Sequence, residues 1–117
     1  MIEENEADNS TELKEYGIAE LRDGLTIERV EEKYSWILEA KIRKAVLGEE
    51  ILENGVCRLV WYSGIWKSGT WGCGHWLSGA WENGTWKYGF WDNGVWKAGI
   101  WKGGHWYGGT WNGGVWH

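Results

Sequence analysis

A chain of 117 residues is one domain's worth, with room for an appendage, and its formal net charge of −5 is unevenly spread. Residues 1–55 carry fifteen acids and seven bases, whereas residues 56–117 carry two acids and five bases, as in a chain whose halves have different partners or attract each other. The acidic opening MIEENEADNS is unlike a secretory leader, and no apolar run approaches the ~18 residues of a membrane span, so the expected setting is a cytoplasm. Two cysteines, Cys57 and Cys73, are too few for a disulfide framework and read as reduced thiols.

Residues 1–10 read as a disordered acidic tail, with one Ile and nothing to bury. Residues 11–48 read as a helical cap. A short helix is expected from Thr11 to Leu25, carrying Leu13, Tyr16, Ile18 and Leu21, and limited by Gly17 and Asp23-Gly24. A stronger helix is expected from Thr26 to Leu47. Thr26 can cap it, and Glu28, Glu31 and Glu32 suit the positive end of its dipole. Ile27, Val30, Tyr34, Ile37, Leu38, Ile42 and Val46 recur at three- and four-residue steps, with Lys41, Arg43 and Lys44 in the last turns and Gly48 beyond. Residues 49–60 change period. Ile51, Leu52, Val56, Leu59 and Val60 flank Asn54-Gly55, a strand-turn-strand pattern. Leu52-Glu53-Asn54-Gly55-Val56 also reads as a degenerate copy of Trp81-Glu82-Asn83-Gly84-Thr85, a first repeat without its Trp.

Residues 61–117 are an unbroken pentad. Trp occupies positions 61, 66, 71, 76, 81, 86, 91, 96, 101, 106, 111 and 116, namely Trp61, Trp66, Trp71, Trp76, Trp81, Trp86, Trp91, Trp96, Trp101, Trp106, Trp111 and Trp116. Three residues after all but the last comes a glycine: Gly64, Gly69, Gly74, Gly79, Gly84, Gly89, Gly94, Gly99, Gly104, Gly109 and Gly114. So strict a period means repeat units stacked on their neighbours. Helix is excluded, because Gly at every fifth position costs about 1 kcal/mol each and the period is wrong. The residue before each Trp is usually β-branched or aromatic (Val60, Ile65, Thr70, Thr85, Phe90, Val95, Ile100), which suits a three-residue strand centred on Trp.

Only the second corner residue is always Gly, the requirement of a type II turn, and such corners favour a chain that keeps turning one way over a meander. If the residues flanking Trp faced inward, Lys67, Glu82, Lys87, Asp92, Lys97 and Lys102 would be buried unpaired, at several kcal/mol each. The indoles therefore face inward and form the core. The expected fold is α+β, mainly β: an N-terminal helix capping a short β-solenoid of Trp-x-x-Gly-x pentads. Two registers stay open. Two pentads per coil matches the echo of WENGTWKYGF in WDNGVWKAGI but stacks Glu82 on Asp92 and Lys87 on Lys97. Three per coil alternates Lys67, Glu82 and Lys97 and aligns Thr70, Thr85, Ile100 and Val115.

With one large apolar residue in five and glycine corners, residues 52–117 resemble the pentapeptide-repeat β-solenoids. Trp86 stands at the centre where that family has Leu or Phe, and Gly84 at its small position. The Trp-x-x-Gly-x variant is similar to repeats of uncharacterised bacteriophage and bacterial proteins. That resemblance implies a coil of type II corners and a virion- or tail-associated setting.

Chemistry-bearing residues are sparse. Cys73-Gly74-His75 matches no common zinc spacing, and His105 lies 30 residues beyond His75, so both histidines read as outward-facing strand residues. Glu82 and Asp92 sit beside corners, and Ser63, Ser68 and Ser78 in them, with no nucleophile, base and orienter to assemble. No catalytic residue, metal or cofactor is expected. A non-enzymatic structural or assembly protein is the leading reading. The first alternative is a carbohydrate- or cell-surface-binding repeat module, for which Tyr62, Tyr88, Tyr107 and Phe90 are the candidate outward rings. A nucleic-acid-related role is the second, weakened by inward indoles and by the lack of a dense basic stripe. The last coil (His105, Trp106, Trp111, Val115, Trp116 and His117) would expose indoles and strand edges, so a homo-oligomer or complex is expected to form through it.

Overall fold

The computed structural model describes residues 13–117, so the acidic tail expected at 1–10 lies outside the described residues. The chain is mainly β, with short helices leading into a parallel β-solenoid of about four turns. β1 (Ile18–Leu21) precedes α1 (Ile27–Lys33) and α2 (Trp36–Glu39), followed by the long strands β2 (Lys41–Ile51) and β3 (Cys57–Ser68). Two-residue strands then recur to the end: β4 (Thr70–Trp71), β5 (His75–Trp76), β6 (Ala80–Trp81), β7 (Thr85–Trp86), β8 (Phe90–Trp91), β9 (Val95–Trp96), β10 (Ile100–Trp101), β11 (His105–Trp106), β12 (Thr110–Trp111) and β13 (Val115–Trp116).

The cap is less helical than its periodicity predicts. In place of a helix over 11–25, helical residues 13–15 give way at Gly17 (φ +78°) to β1, which pairs parallel with β2. Gly17 lies so close to β2 that a Cβ there would sit 1.9 Å from the Ile42 carbonyl oxygen. The helix expected from Thr26 to Leu47 starts as predicted, with the Thr26 side chain accepting from the Arg29 N–H, but α1 stops at Tyr34 and α2 is a single turn. Residues from Lys41 onward form β2, antiparallel to β3, with Ile42 opposite Trp66 and Leu47 opposite Trp61. A bulge hid that strand. The register shifts between Arg43 and Val46, with Lys44 at φ +55°, so the buried residues fall at Ile42, Ala45 and Leu47 rather than at a steady two-residue step.

Asn54-Gly55 is a turn, as expected. The Asn54 side chain accepts from the Val56 N–H at 3.0 Å, and Gly55 takes φ +85°. Leu52–Val56 is nevertheless the exposed β2–β3 hairpin loop and not a degenerate first coil; Ile51 and Val56 both face solvent.

Three pentads make one coil. Trp61 pairs with Trp76, Trp76 with Trp91 and Trp91 with Trp106, and the other two sides run from Trp66 and Trp71 at the same 15-residue step. Coils one to four therefore begin at Val60, His75, Phe90 and His105. This settles the register left open above, and Thr70, Thr85, Ile100 and Val115 do align. The strands are two residues long rather than three, because the residue after Trp already enters the corner. Its N–H still bonds to the coil beneath, as in Lys87 N–H to the Trp71 carbonyl at 2.9 Å.

The indoles form three ladders. Along each ladder the ring centroids are 4.6–5.2 Å apart and nearly parallel, at 2–11°. Consecutive Trp residues around a coil meet edge to face, with centroids 5.4–6.0 Å apart. Trp86 and Trp91 donate their indole N–H to the carbonyls of Gly103 and Gly108 in the next coil, at 3.0 and 3.1 Å. Six other indole N–H groups are buried without an acceptor among the described residues. An orphaned donor costs about 1–3 kcal/mol, against an upper estimate of roughly 4–6 kcal/mol for burying 150–250 Å² of indole. Ring packing wins.

Every corner glycine of the repeat has positive φ, between 101° and 141°, as the corner argument requires. Stacking adds a second demand. A Cβ on Gly94 would lie 2.3 Å from the Gly79 carbonyl oxygen of the coil beneath.

Candidate assembly surface

Successive coils cover one another, so burial changes abruptly along each ladder. Trp61, Trp66, Trp71, Trp76, Trp81, Trp86, Trp91 and Trp96 are fully buried and Trp101 is 1% exposed. Trp106 and Trp111 are only partly buried, and Trp116 is 56% exposed. The strands β11, β12 and β13 are the outermost of their sheets, paired only with the coil beneath. His105, Val115 and His117 are exposed beside them. All six residues predicted to form the assembly surface thus lie in the uppermost coil and are at least partly open to solvent.

The opposite end is closed by the cap. Trp36 packs edge-on against Trp71 at 5.0 Å and lies 6.4 Å from Trp66. Gly72 admits it, since a Cβ there would be 2.9 Å from the Trp36 Nε1. Ala45 lies against Gly64 and Ala40 against Gly69, within 2.8 Å of where each glycine's Cβ would be, much as Gly64 lies against Gly79. The stretch from Ala40 to Ala45 therefore stands in for a coil beneath the first. Trp36, the one Trp outside the pentads, was not singled out by helical periodicity; its departure from the five-residue period was the available signal.

Polar side chains fasten this cap. Tyr34 and Arg29 both donate to the Glu49 carboxylate, and Tyr62 donates to Asp23 at 2.7 Å. Burial works against the Glu49 charge, but the Arg29 and Tyr34 hydrogen bonds outweigh it and hold its pKa below the usual carboxylate range. Burial first, and then the bond to Glu49, push the Tyr34 phenol well above its ordinary value.

A second cluster ties the hairpin to the first side of the solenoid. Arg58 donates to Glu50; His75 places Nε2 2.8 Å from Asp92 Oδ2, and Nδ1 3.1 Å from Glu50 Oε1 and 3.2 Å from Arg58. In the neutral ring Nε2–H donates to Asp92 and Nδ1 accepts from Arg58; in the protonated ring both nitrogens donate to carboxylates. Desolvation raises the pKa of Glu50, but the hydrogen bonds from Arg58 and His75 bring it down overall. With both nitrogens engaged and no hydroxyl among its partners, His75 is arranged as a fastener. It faces outward from the core as expected, but the hairpin half-covers it. His105 stands two coils above it in the same column, with Phe90 between.

Among the described residues no group of three or more His, Cys, Asp or Glu side chains is placed to hold a metal ion. Cys57 and Cys73 are both free thiols. Lys67, Lys87, Lys97 and Lys102 are exposed, and Glu82 and Asp92 are half-buried, so none of the charges lies in the core. No helix among the described residues is long and apolar enough to cross a membrane. Comparison of the chain with protein-family models, with curated proteins and with solved structures gave no match.

Proposed function

We propose that this chain is a non-enzymatic assembly protein: a rigid, Trp-cored solenoid, pentapeptide-repeat-like, that joins a second copy or a larger complex through its uppermost coil. The observation that carries this reading is the step in exposure along one ladder, from 1% at Trp101 to 56% at Trp116. Coil-on-coil packing removes that indole surface everywhere below, and β-edges left unpaired are templates for association. The cap covers the lowest coil, so among the described residues the uppermost coil is the one left open. A virion- or tail-associated setting rests on the likeness of the Trp-x-x-Gly-x repeat to bacteriophage sequences alone.

Light scattering of the purified chain, beside a variant carrying Trp111→Lys and Trp116→Lys, tests the proposal. The parent is expected to run as a dimer or larger and the variant as a folded monomer. A folded monomer in both cases would overturn it.

A further inference from the structure

The first side of the solenoid carries aromatic side chains that the core does not use. Tyr107 is 65% exposed and Tyr88 49% exposed, whereas every indole of the repeat below the uppermost coil is buried. They flank His105. Its ring lies 6.5 Å from Tyr88, 6.1 Å from Tyr107 and 5.0 Å from Phe90, the last pair stacked within 8°. The corners on either side of His105–Tyr107 are bare backbone, Gly103-Gly104 and Gly108-Gly109, where lower coils carry Tyr88 and Asn93. A Cβ on Gly103 would lie 3.5 Å from Tyr88 Cδ1, so the missing side chain opens the approach to that ring. One coil below Tyr107, the half-exposed Asp92 carboxylate is oriented by His75 at 2.8 Å.

We infer that Tyr88, Phe90, His105, Tyr107 and Asp92 form a binding site for a neutral saccharide on this lateral side, which shares His105 with the uppermost coil. The chemistry chooses the ligand class. Exposed tyrosine rings offer an apolar surface for the C–H face of a pyranose together with a hydroxyl at the rim, and a fixed carboxylate accepts from sugar hydroxyls. Of the neighbouring charges, Glu50 is paired with Arg58, and the Asp92 carboxylate is held by the His75 hydrogen bond with its remaining lone pairs open to solvent. Bases could stack on such rings, but a phosphodiester chain needs free basic partners; the Arg58 guanidinium, 4.7 Å over the Phe90 ring, is already paired with Glu50, and Tyr107 stands one coil above the Asp92 carboxylate.

Isothermal titration of the full chain with cellotetraose, chitotetraose and maltotetraose, and with a single-stranded dT oligonucleotide, tests the site. At least one tetrasaccharide is expected to bind and the oligonucleotide is not. Tyr107→Ala and Tyr88→Ala should each weaken saccharide binding at least tenfold with unchanged near-ultraviolet circular dichroism. Lys97→Ala, on another side of the coil, should leave binding as in the parent. Failure of all three tetrasaccharides to bind, parental affinity in both tyrosine variants, or displacement of the sugar by the oligonucleotide would each overturn the inference.

Discussion

The cap and the solenoid are held together in different ways. Above Val60 one contact set recurs every fifteen residues: an indole on an indole, a glycine on a glycine, and an N–H on a carbonyl of the coil beneath. Below it each contact is used once, as in Arg29 and Tyr34 on Glu49, Tyr62 on Asp23, and Arg22 over the Tyr62 ring at 5.0 Å. Repetition makes stability a sum of equal local terms, so a lesson learned at one pentad transfers to the others. The cap depends on single long-range pairings, and each must be tested by itself.

The largest expected effect separates the two regions by their tryptophans. Trp86→Ala removes a fully buried ring stacked on both sides and should cost about 3–5 kcal/mol. Trp36→Ala removes a half-buried ring packed edge-on against the lowest coil and should cost about 2 kcal/mol. Urea unfolding of both variants checks the ordering, and equal small losses would mean that the indoles do not form the core.

Glycines come next. Gly94→Ala meets both its positive φ and the Gly79 carbonyl, and should cost about 2–4 kcal/mol. Gly55 in the hairpin also has positive φ but open space around it, so Gly55→Ala should cost about 1 kcal/mol. The difference between the two denaturation midpoints isolates the stacking contribution.

Acid should loosen the cap before the repeat. Glu49 and Glu50 are held below the ordinary carboxylate pKa, so their stabilisation is present above about pH 4.3 and is lost as pH falls through their lower folded-state values. Urea midpoints measured from pH 7 to pH 3 should fall accordingly. Glu49→Gln should cost about 1–3 kcal/mol at pH 7 and flatten that dependence. Smallest of all, Lys87→Ala and Ala98→Gly, at an exposed strand end and in a corner, should each shift stability by under about 0.5 kcal/mol.

How legible each region was follows from the same contrast. Inward indoles and positive-φ corners could be read from one pentad, because the charges beside Trp and the invariant Gly are local facts. The coil register was left open, because the decapeptide echo favoured two pentads per coil and the charge pattern three. Alternation of Lys67, Glu82 and Lys97 avoids the like-charge ladders of the two-pentad register, and the fold adopts that alternation. In the cap the bulge at Lys44 gave β2 apolar spacings that mimic a helix, and pairing with β3 decided the outcome. The Glu50–Arg58–His75–Asp92 cluster joins residues 8 to 25 positions apart and has no local signature. The corner glycines were understood only in part, since φ was legible and the carbonyl of the coil beneath was not.

A cysteine pair reads the coil most directly. In a background with Cys57→Ser and Cys73→Ser, Thr85→Cys with Ile100→Cys places two thiols in paired strands of adjacent coils, whereas Thr85→Cys with Val95→Cys places them on different sides of the solenoid. A disulfide needs Cα atoms about 4.4–6.8 Å apart, which neighbouring strands satisfy. Mild oxidation should cross-link the 85/100 pair nearly completely within the monomer and leave the 85/95 pair reduced. Rapid closure of 85/95, with 85/100 unreactive, would contradict a coil of three pentads.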